Sequence, residues 1–283
     1  MTADRGDRTG QVIGQRFRLD ALIGRGAMAE VYRAVDLETQ GLVALKILKQ
    51  GISGDASAKL RFTREADVQA KLRHRNIAAL YATGITEQAE PYLVVELLRG
   101  KTLRNVLKAE TRIPPQRAAS YTWQALQGLA VVHRGGVLHR DLKPANLMLE
   151  PSPGPIERVV LIDFGFATLE GAAKLTQQGT VVGSLAYIAP ERLRGELPDQ
   201  RSDLYSMGVI LFEMLSGEPP FKASTQVTLI ELQLDAEPPP LDAAVPEAMR
   251  AIVDRALAKY QEDRYPDATA MARAIEDAAR TLT

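Results

Sequence analysis

The chain has 283 residues, enough for one large domain or two lobes, and its 46% hydrophobic and 25% charged residues are the proportions of a globular protein. Thirty-five Lys and Arg balance 35 Asp and Glu, which removes the basic excess expected of a general nucleic-acid binder. Cysteine is absent, which excludes a disulfide framework and thiolate metal sites.

Residues 1–15 are polar and Gly-rich and read as a flexible tail. Alternating and β-branched runs predict strands over 17–23, 29–35, 42–48 and 92–96, with the turn Gly24-Arg25-Gly26 between the first two. Between them, 56–72 carries Leu60, Val68 and Leu72 at helical spacing with charges between, which predicts one amphipathic helix. After Gly100 the pattern changes to helices over 116–133, 203–216, 246–258 and 268–279, the first opened by Pro114-Pro115. Two Pro-rich stretches, 150–155 and 237–240, read as loops. The expected fold class is α+β: a small antiparallel β-sheet lobe with one helix, followed by a larger, mainly helical lobe.

Three segments carry chemistry. In the first, the glycines of Gly24-Arg25-Gly26 let backbone approach phosphates closely, although an ordinary β-hairpin fits this segment about as well. A strand rather than a helix follows, which removes a dinucleotide-binding βαβ unit. Second, Lys46 sits within the apolar strand 42–48 and needs an anionic partner or a route to solvent. Glu65 on the predicted helix is a candidate. Third, His139-Arg140-Asp141-Leu142-Lys143-Pro144-Ala145-Asn146 places a carboxylate, an ammonium and an amide within six residues, between apolar runs. Such a set can orient a hydroxyl proton, neutralise phosphate and ligate Mg²⁺. Seventeen residues beyond Asn146 comes Asp163-Phe164-Gly165, after the apolar run 159–162.

Taken in this order, these motifs resemble those of the eukaryotic-type protein kinases, and in particular the bacterial Ser/Thr kinases, over residues 17–279. The resemblance implies a bilobal kinase domain over 16–279, with a small lobe over 16–96, a hinge over 97–100 and a large lobe over 101–279. It implies ATP as phosphoryl donor with Mg²⁺, or Mn²⁺, as the metal. Ile23, Gly24, Gly26 and Val31 would cover the nucleotide, and Ala44 and Met148 would sandwich the adenine. Val95 would stand at the back of the pocket, with Glu96 and Leu98 bonding the base edge through backbone. Lys46 would hold the phosphates and pair with Glu65. Asp141 would accept or orient the substrate proton, and Asn146 and Asp163 would hold metal. Lys143, two residues after Asp141, follows the Ser/Thr rather than the Tyr pattern, and Ser184 agrees with it. Glu191 and Arg264 would form a buried ion pair, and Asp203 would brace the catalytic loop.

The sequence departs from the family pattern at Ala29, at Ala27-Met28 and at Gln69, which would make the helix dependent on an external contact. Arg140 calls for an anionic partner, which phosphorylation of Thr176, with Thr180, would supply. The expected partners are proteins bearing Ser or Thr and a second copy of the chain through the small lobe, with no nucleic acid. No stretch approaches the ~18 apolar residues that span a bilayer, and the polar start lacks a secretory apolar stretch. The expected location is therefore cytoplasmic, free or as the cytosolic part of a membrane-anchored kinase. A pseudokinase scaffold and a small-molecule kinase are the alternatives. The former is opposed by the full set of reacting residues, the latter by Lys143, Ser184 and Ala189-Pro190-Glu191.

Overall fold

The computed structural model describes residues 7–26, 29–48, 66, 70–163 and 185–282. The chain divides into two compact units, Met1–His74 with Ala78–Arg99 and Arg75–Ile77 with Gly100–Thr283.

The first unit is built on an antiparallel sheet of β1 (Val12–Ile13), β2 (Phe17–Arg25), β3 (Ala29–Asp36), β4 (Leu42–Leu48), β5 (Leu80–Ile85) and β6 (Pro91–Glu96), in the order β1-β2-β3-β4-β6-β5. Period-two alternation sends Tyr32, Ala34, Val43, Leu45, Ile47, Tyr92 and Val94 into one apolar cluster with Phe17 and Leu19. The β3–β4 turn is held by Asp36, which accepts from the Glu38 amide (3.1 Å) and Thr39 Oγ1 (3.0 Å) and takes both arms of Arg16 at 2.7 Å.

The sheet begins earlier than the expected strand at 17. Val12 and Ile13 pair with Arg18 and Phe17, Gly10 N–H donates to the Leu19 carbonyl (2.8 Å), and Arg8 reaches buried Glu90 at 2.6 and 3.1 Å. A tail over 1–15 is thus too long. Gly10 and Gly14, at φ 91° and 57°, let this polar segment turn back onto β2. Of the helix expected over 56–72, Ala66 is helical and its carbonyl accepts from the Ala70 amide at 2.8 Å. Glu65 and Gln69 lie outside the described residues.

The second unit joins a three-stranded antiparallel sheet, β7 (Lys101–Thr102), β8 (Leu147–Glu150) and β9 (Arg158–Leu161), to seven described helices. These are α1 (Leu103–Glu110), α2 (Pro115–Arg134), α3 (Pro190–Arg194), α4 (Gln200–Ser216), α5 (Gln226–Asp235), α6 (Glu247–Ala256) and α7 (Ala268–Ala279). Proline at the first helical position opens α2 and α3, and Thr102, Asp199, Thr225 and Asp267 cap α1, α4, α5 and α7 through their side chains. Helix α4 is buried from Ser202 to Leu215, around the apolar run Met207–Phe212 and with Ser202, Asp203, Ser206 and Glu213 buried as hydrogen-bonded polar groups, and Gly217 ends it at φ 94°. Helix α2 packs on α4, α7 and β9. Its Gly128 permits the last contact, because a Cβ there would stand 2.8 Å from both the Asn76 carbonyl and a Leu161 methyl. No described helix is long and apolar enough to cross a membrane.

Candidate active site

Residues 139–146 run between α2 and β8 as a loop closed by a short 3-10 turn, Pro144–Asn146. The Asp141 carboxylate accepts from Lys143 Nζ at 3.0 and 2.8 Å and from Asn146 Nδ2 at 2.9 Å. Asn146 Nδ2 also donates to the Asp141 carbonyl at 2.7 Å. Beneath this triad lies Asp203 on α4, 2% exposed, which accepts from the amides of His139 (2.8 Å) and Arg140 (2.9 Å) and from His133 Nε2 (2.8 Å). Burial raises the proton affinity of Asp203, but these donors and the neighbouring imidazoles outweigh it and hold the carboxyl below its ordinary range. His139 is fully buried, which pushes its pKa down, and its neutral ring donates Nε2–H to the Ile162 carbonyl at 3.1 Å.

Strands β8 and β9 carry the loop forward to Asp163. Leu147 pairs with Leu161 and Met148 with Val160, and the Ile162 amide donates to the Asn146 carbonyl at 3.0 Å. Asp163, exposed and at φ 54°, therefore follows directly on a residue bonded to Asn146. This donor set suits a hard divalent cation. The Asn146 amide nitrogen is engaged by Asp141, so its carbonyl oxygen is the end of that side chain that would face a cation, and the Asp163 carboxylate would supply a second oxygen.

In the first unit, register places Val31 opposite Lys46, Lys46 opposite Leu93 and Ala44 opposite Val95. Val31, Ala44, Lys46 and Val95 thus share one face of the sheet, opposite the apolar cluster around Leu45. Gly24 pairs with Val31 at the end of β2, Ile23 is 51% exposed, and the Gly26 amide donates to the Ala29 carbonyl at 2.9 Å. Glu96 closes β6 with its amide on the Ala79 carbonyl (2.8 Å), and Leu98 and, in the second unit, Met148 are half-buried. Among the described residues, then, structure gathers Asp141, Lys143, Asn146 and Asp163 in one unit and the strand residues on one face in the other. Glu65, Thr168, Thr176, Thr180 and Ser184 lie outside the described residues, as do Ala27 and Met28.

Comparison with known proteins decides the family, since the model for the protein kinase domain matches residues 17–274. The chain belongs to the protein kinase family. It is 37% identical over 266 residues to the serine/threonine-protein kinase PknB of Mycobacterium leprae, covering 92% of this chain and 42% of that protein. It is 35% identical over 278 residues to the serine/threonine-protein kinase pkn3 of Myxococcus xanthus, covering 95% of this chain and 51% of that protein. The chain therefore spans about half or less of the length of these curated relatives. Among solved structures, a mutant PknI kinase domain of Mycobacterium tuberculosis matches with a TM-score of 0.76 at 25% identity, over 97% of this chain and 99% of that one.

The buried Glu191–Arg264 ion pair expected from the sequence is present. Arg264, 1% exposed, meets both Glu191 oxygens at 2.9 Å, and Ser202 Oγ donates to the same carboxylate at 2.5 Å. Burial raises the proton affinity of Glu191, and the Arg264 bonds reverse that and hold it below the ordinary value. Two participants were missed in the sequence. His133 contacts Asp203 from the last turn of α2, and Arg192 donates to the Arg140 carbonyl at 2.5 Å. Neither has a local signal, since each acts on a residue far away in sequence.

Proposed function

We propose that this chain transfers the γ-phosphoryl group of ATP to serine and threonine hydroxyls of proteins. The observation that carries the reading is the Asp141 carboxylate held between Lys143 Nζ and Asn146 Nδ2. An incoming hydroxyl donates its proton to Asp141, which orients the oxygen for in-line attack. Lys143 keeps that carboxylate in place and offers positive charge where phosphoryl charge accumulates. Lys46 would hold the α- and β-phosphates under the turn of Gly24 and Gly26, with Glu65 as its expected counter-ion. Ile23, Val31, Ala44, Val95 and Met148 would contact the adenine, with the backbone of Glu96 and Leu98 bonding its edge. Asn146 and Asp163 would hold Mg²⁺, or Mn²⁺ in its place, and the ion would supply charge neutralisation on the phosphate oxygens. The working division is a small lobe over 16–96, a hinge over 97–100 and a large lobe over 101–279.

Autophosphorylation at Thr176, with Thr180, would add about two negative charges each to the segment that precedes Glu191. Pairing of two copies through the first unit is supported by the apolar side chains of Tyr81 and Ile85, 57% and 53% exposed on the edge strand β5. A cytoplasmic setting, free or as part of a membrane-anchored protein, accords with the ATP requirement.

The test is transfer of radiolabel from γ-labelled ATP to a generic basic protein, followed by phosphoamino-acid analysis and phosphopeptide mapping. Wild-type chain is expected to label Ser and Thr, and Asp141→Asn to lower the rate by about 10²–10⁴-fold. Label found in small metabolites, or ATP binding with no transfer at all, would sink the reading. An unmodified Thr176 in active protein would refute the autophosphorylation site alone.

A further inference from the structure

Helix α3 opens with two adjacent charged residues that engage different partners. Glu191 is locked to Arg264, Ser202 and Gln261, which ties α3 to the helical core. Arg192 instead donates from a terminal nitrogen to the backbone carbonyl of Arg140, the residue immediately before Asp141.

Arg140 is an unusual residue to hold. Its φ is 63°, a left-handed conformation that a non-glycine residue adopts only where its surroundings impose it. Asp203 imposes it from one side by accepting the amides of His139 and Arg140. The peptide unit that joins Arg140 to Asp141 is then fixed at both of its polar atoms. Its N–H, belonging to Asp141, donates to the His139 carbonyl at 2.9 Å, and its C=O takes the Arg192 guanidinium at 2.5 Å. This peptide plane sets the direction in which the Asp141 side chain leaves the backbone.

Arg192 is also placed where a merely stabilising arginine would not be expected. Among the described residues no carboxylate lies within ion-pair distance of it, although Asp203 and Asp141 are close enough to act on its charge. A half-buried guanidinium without a direct counter-ion is a cost to the fold. Such costs concentrate where the chain's chemistry needs them.

We propose that Arg192 is a positioning residue for the phosphoryl-transfer reaction, clamping the Arg140–Asp141 peptide so that the Asp141 carboxylate faces the substrate hydroxyl. The clamp runs from the Arg264–Glu191 lock through the adjacent residue of α3 to the loop that carries Asp141. The catalytic half of this proposal rests on the kinase reading above, whereas the clamp itself does not.

The test compares Arg192→Met and Arg192→Lys with wild type by four measurements. These are kcat and KM for ATP, binding of a fluorescent nucleotide, thermal midpoint, and hydrogen exchange in peptides covering 137–146. Arg192→Met is expected to lower kcat about tenfold or more, with nucleotide binding and KM within about twofold. Its thermal midpoint should hold or rise, because an uncompensated buried cation has been removed. Exchange in 137–146 should quicken while that in α4 stays slow, and Arg192→Lys, which keeps a donor, should recover part of kcat.

Unchanged exchange together with unchanged kcat overturns the proposal. So does a loss of kcat that comes with an equal loss of nucleotide binding and a lower thermal midpoint, the pattern of a structural residue. If wild-type protein transfers no phosphoryl group, faster exchange in Arg192→Met still supports the clamp, and only the kinase reading fails.

Discussion

Arg264→Met tests how the second unit is held together. All five guanidinium donors of Arg264 are spoken for: Nε on the Ala258 carbonyl (2.7 Å), and the two terminal nitrogens on Glu191 (2.9 Å each), the Arg201 carbonyl (3.2 Å) and the Lys259 carbonyl (3.1 Å). The guanidinium also lies 4.9 Å from the centre of the Tyr205 ring. Methionine fills the space of the stem but leaves the Glu191 carboxylate, 1% exposed, with only Ser202 and Gln261 as donors. Removing one partner of a buried pair costs about 3–5 kcal/mol. At about 2–4 °C per kcal/mol for a unit of this size, the thermal midpoint should fall by about 6–20 °C. Glu191→Gln combined with Arg264→Met should recover part of that loss, since no uncompensated charge remains.

The same pair fixes a sign with pH. The Glu191 carboxyl titrates lower in the folded chain than its ordinary value near 4.5, so its stabilisation is present above that value and is lost as pH falls through and below it. In Arg264→Met the acid loss attributable to Glu191 should shrink or reverse. Thermal unfolding followed by circular dichroism between pH 2.5 and 7 reads both effects. A midpoint lowered by less than about 3 °C in Arg264→Met would show that this pair does not carry the anchoring assigned to it.

Lys259 donates to the carbonyls of Leu232 (3.2 Å) and Gln233 (2.8 Å) at the end of α5, and burial brings its pKa down to about 8. The unfolded chain then binds more protons between about pH 8 and 10.5, so wild-type stability should rise across that window relative to Lys259→Met, as thermal unfolding at pH 8 and 9.5 would show. Gly128→Ala should cost about 1–3 kcal/mol in denaturant unfolding, because the added methyl meets the Asn76 carbonyl and Leu161 at 2.8 Å. Asp163→Asn should weaken the divalent-cation dependence of nucleotide binding at least tenfold while leaving the thermal midpoint within about 2 °C, since Asp163 is exposed.

What could be read from the sequence follows from the range of the forces involved. Strands β2, β3, β4 and β6 and helices α2, α4, α6 and α7 announce themselves through periodicity, and their ends agree with the structure within a few residues. The Asp141–Lys143–Asn146 triad was legible because its members lie within six residues and their chemistry is unmistakable together. Strand β1 was missed because its pairing depends on two left-handed glycines and on Arg8 reaching Glu90, 82 residues away. Helix α1 was missed because its apolar face is only Leu103, Val106 and Leu107, and α3 because five residues give no period to detect.

The least legible part of the site is what holds it still. Arg140 and Asp163 flank the Asp141–Asn146 segment with φ of 63° and 54°, a left-handed conformation that aspartate visits readily but that no local preference of arginine would select. Their stability has to come from elements the chain reaches later. Asp203 arrives 63 residues after Arg140 on the most buried helix, and Arg192 arrives 52 residues after it on a helix fixed by Glu191. In this chain the amides of His139 and Arg140 are bonded by a carboxylate from α4 and the Arg140 carbonyl by a guanidinium from α3. Asp141, Lys143 and Asn146 meanwhile bond one another, so the part of this loop that local sequence explains is its side-chain triad, and the part it leaves unexplained is the backbone held from 52 and 63 residues further along the chain.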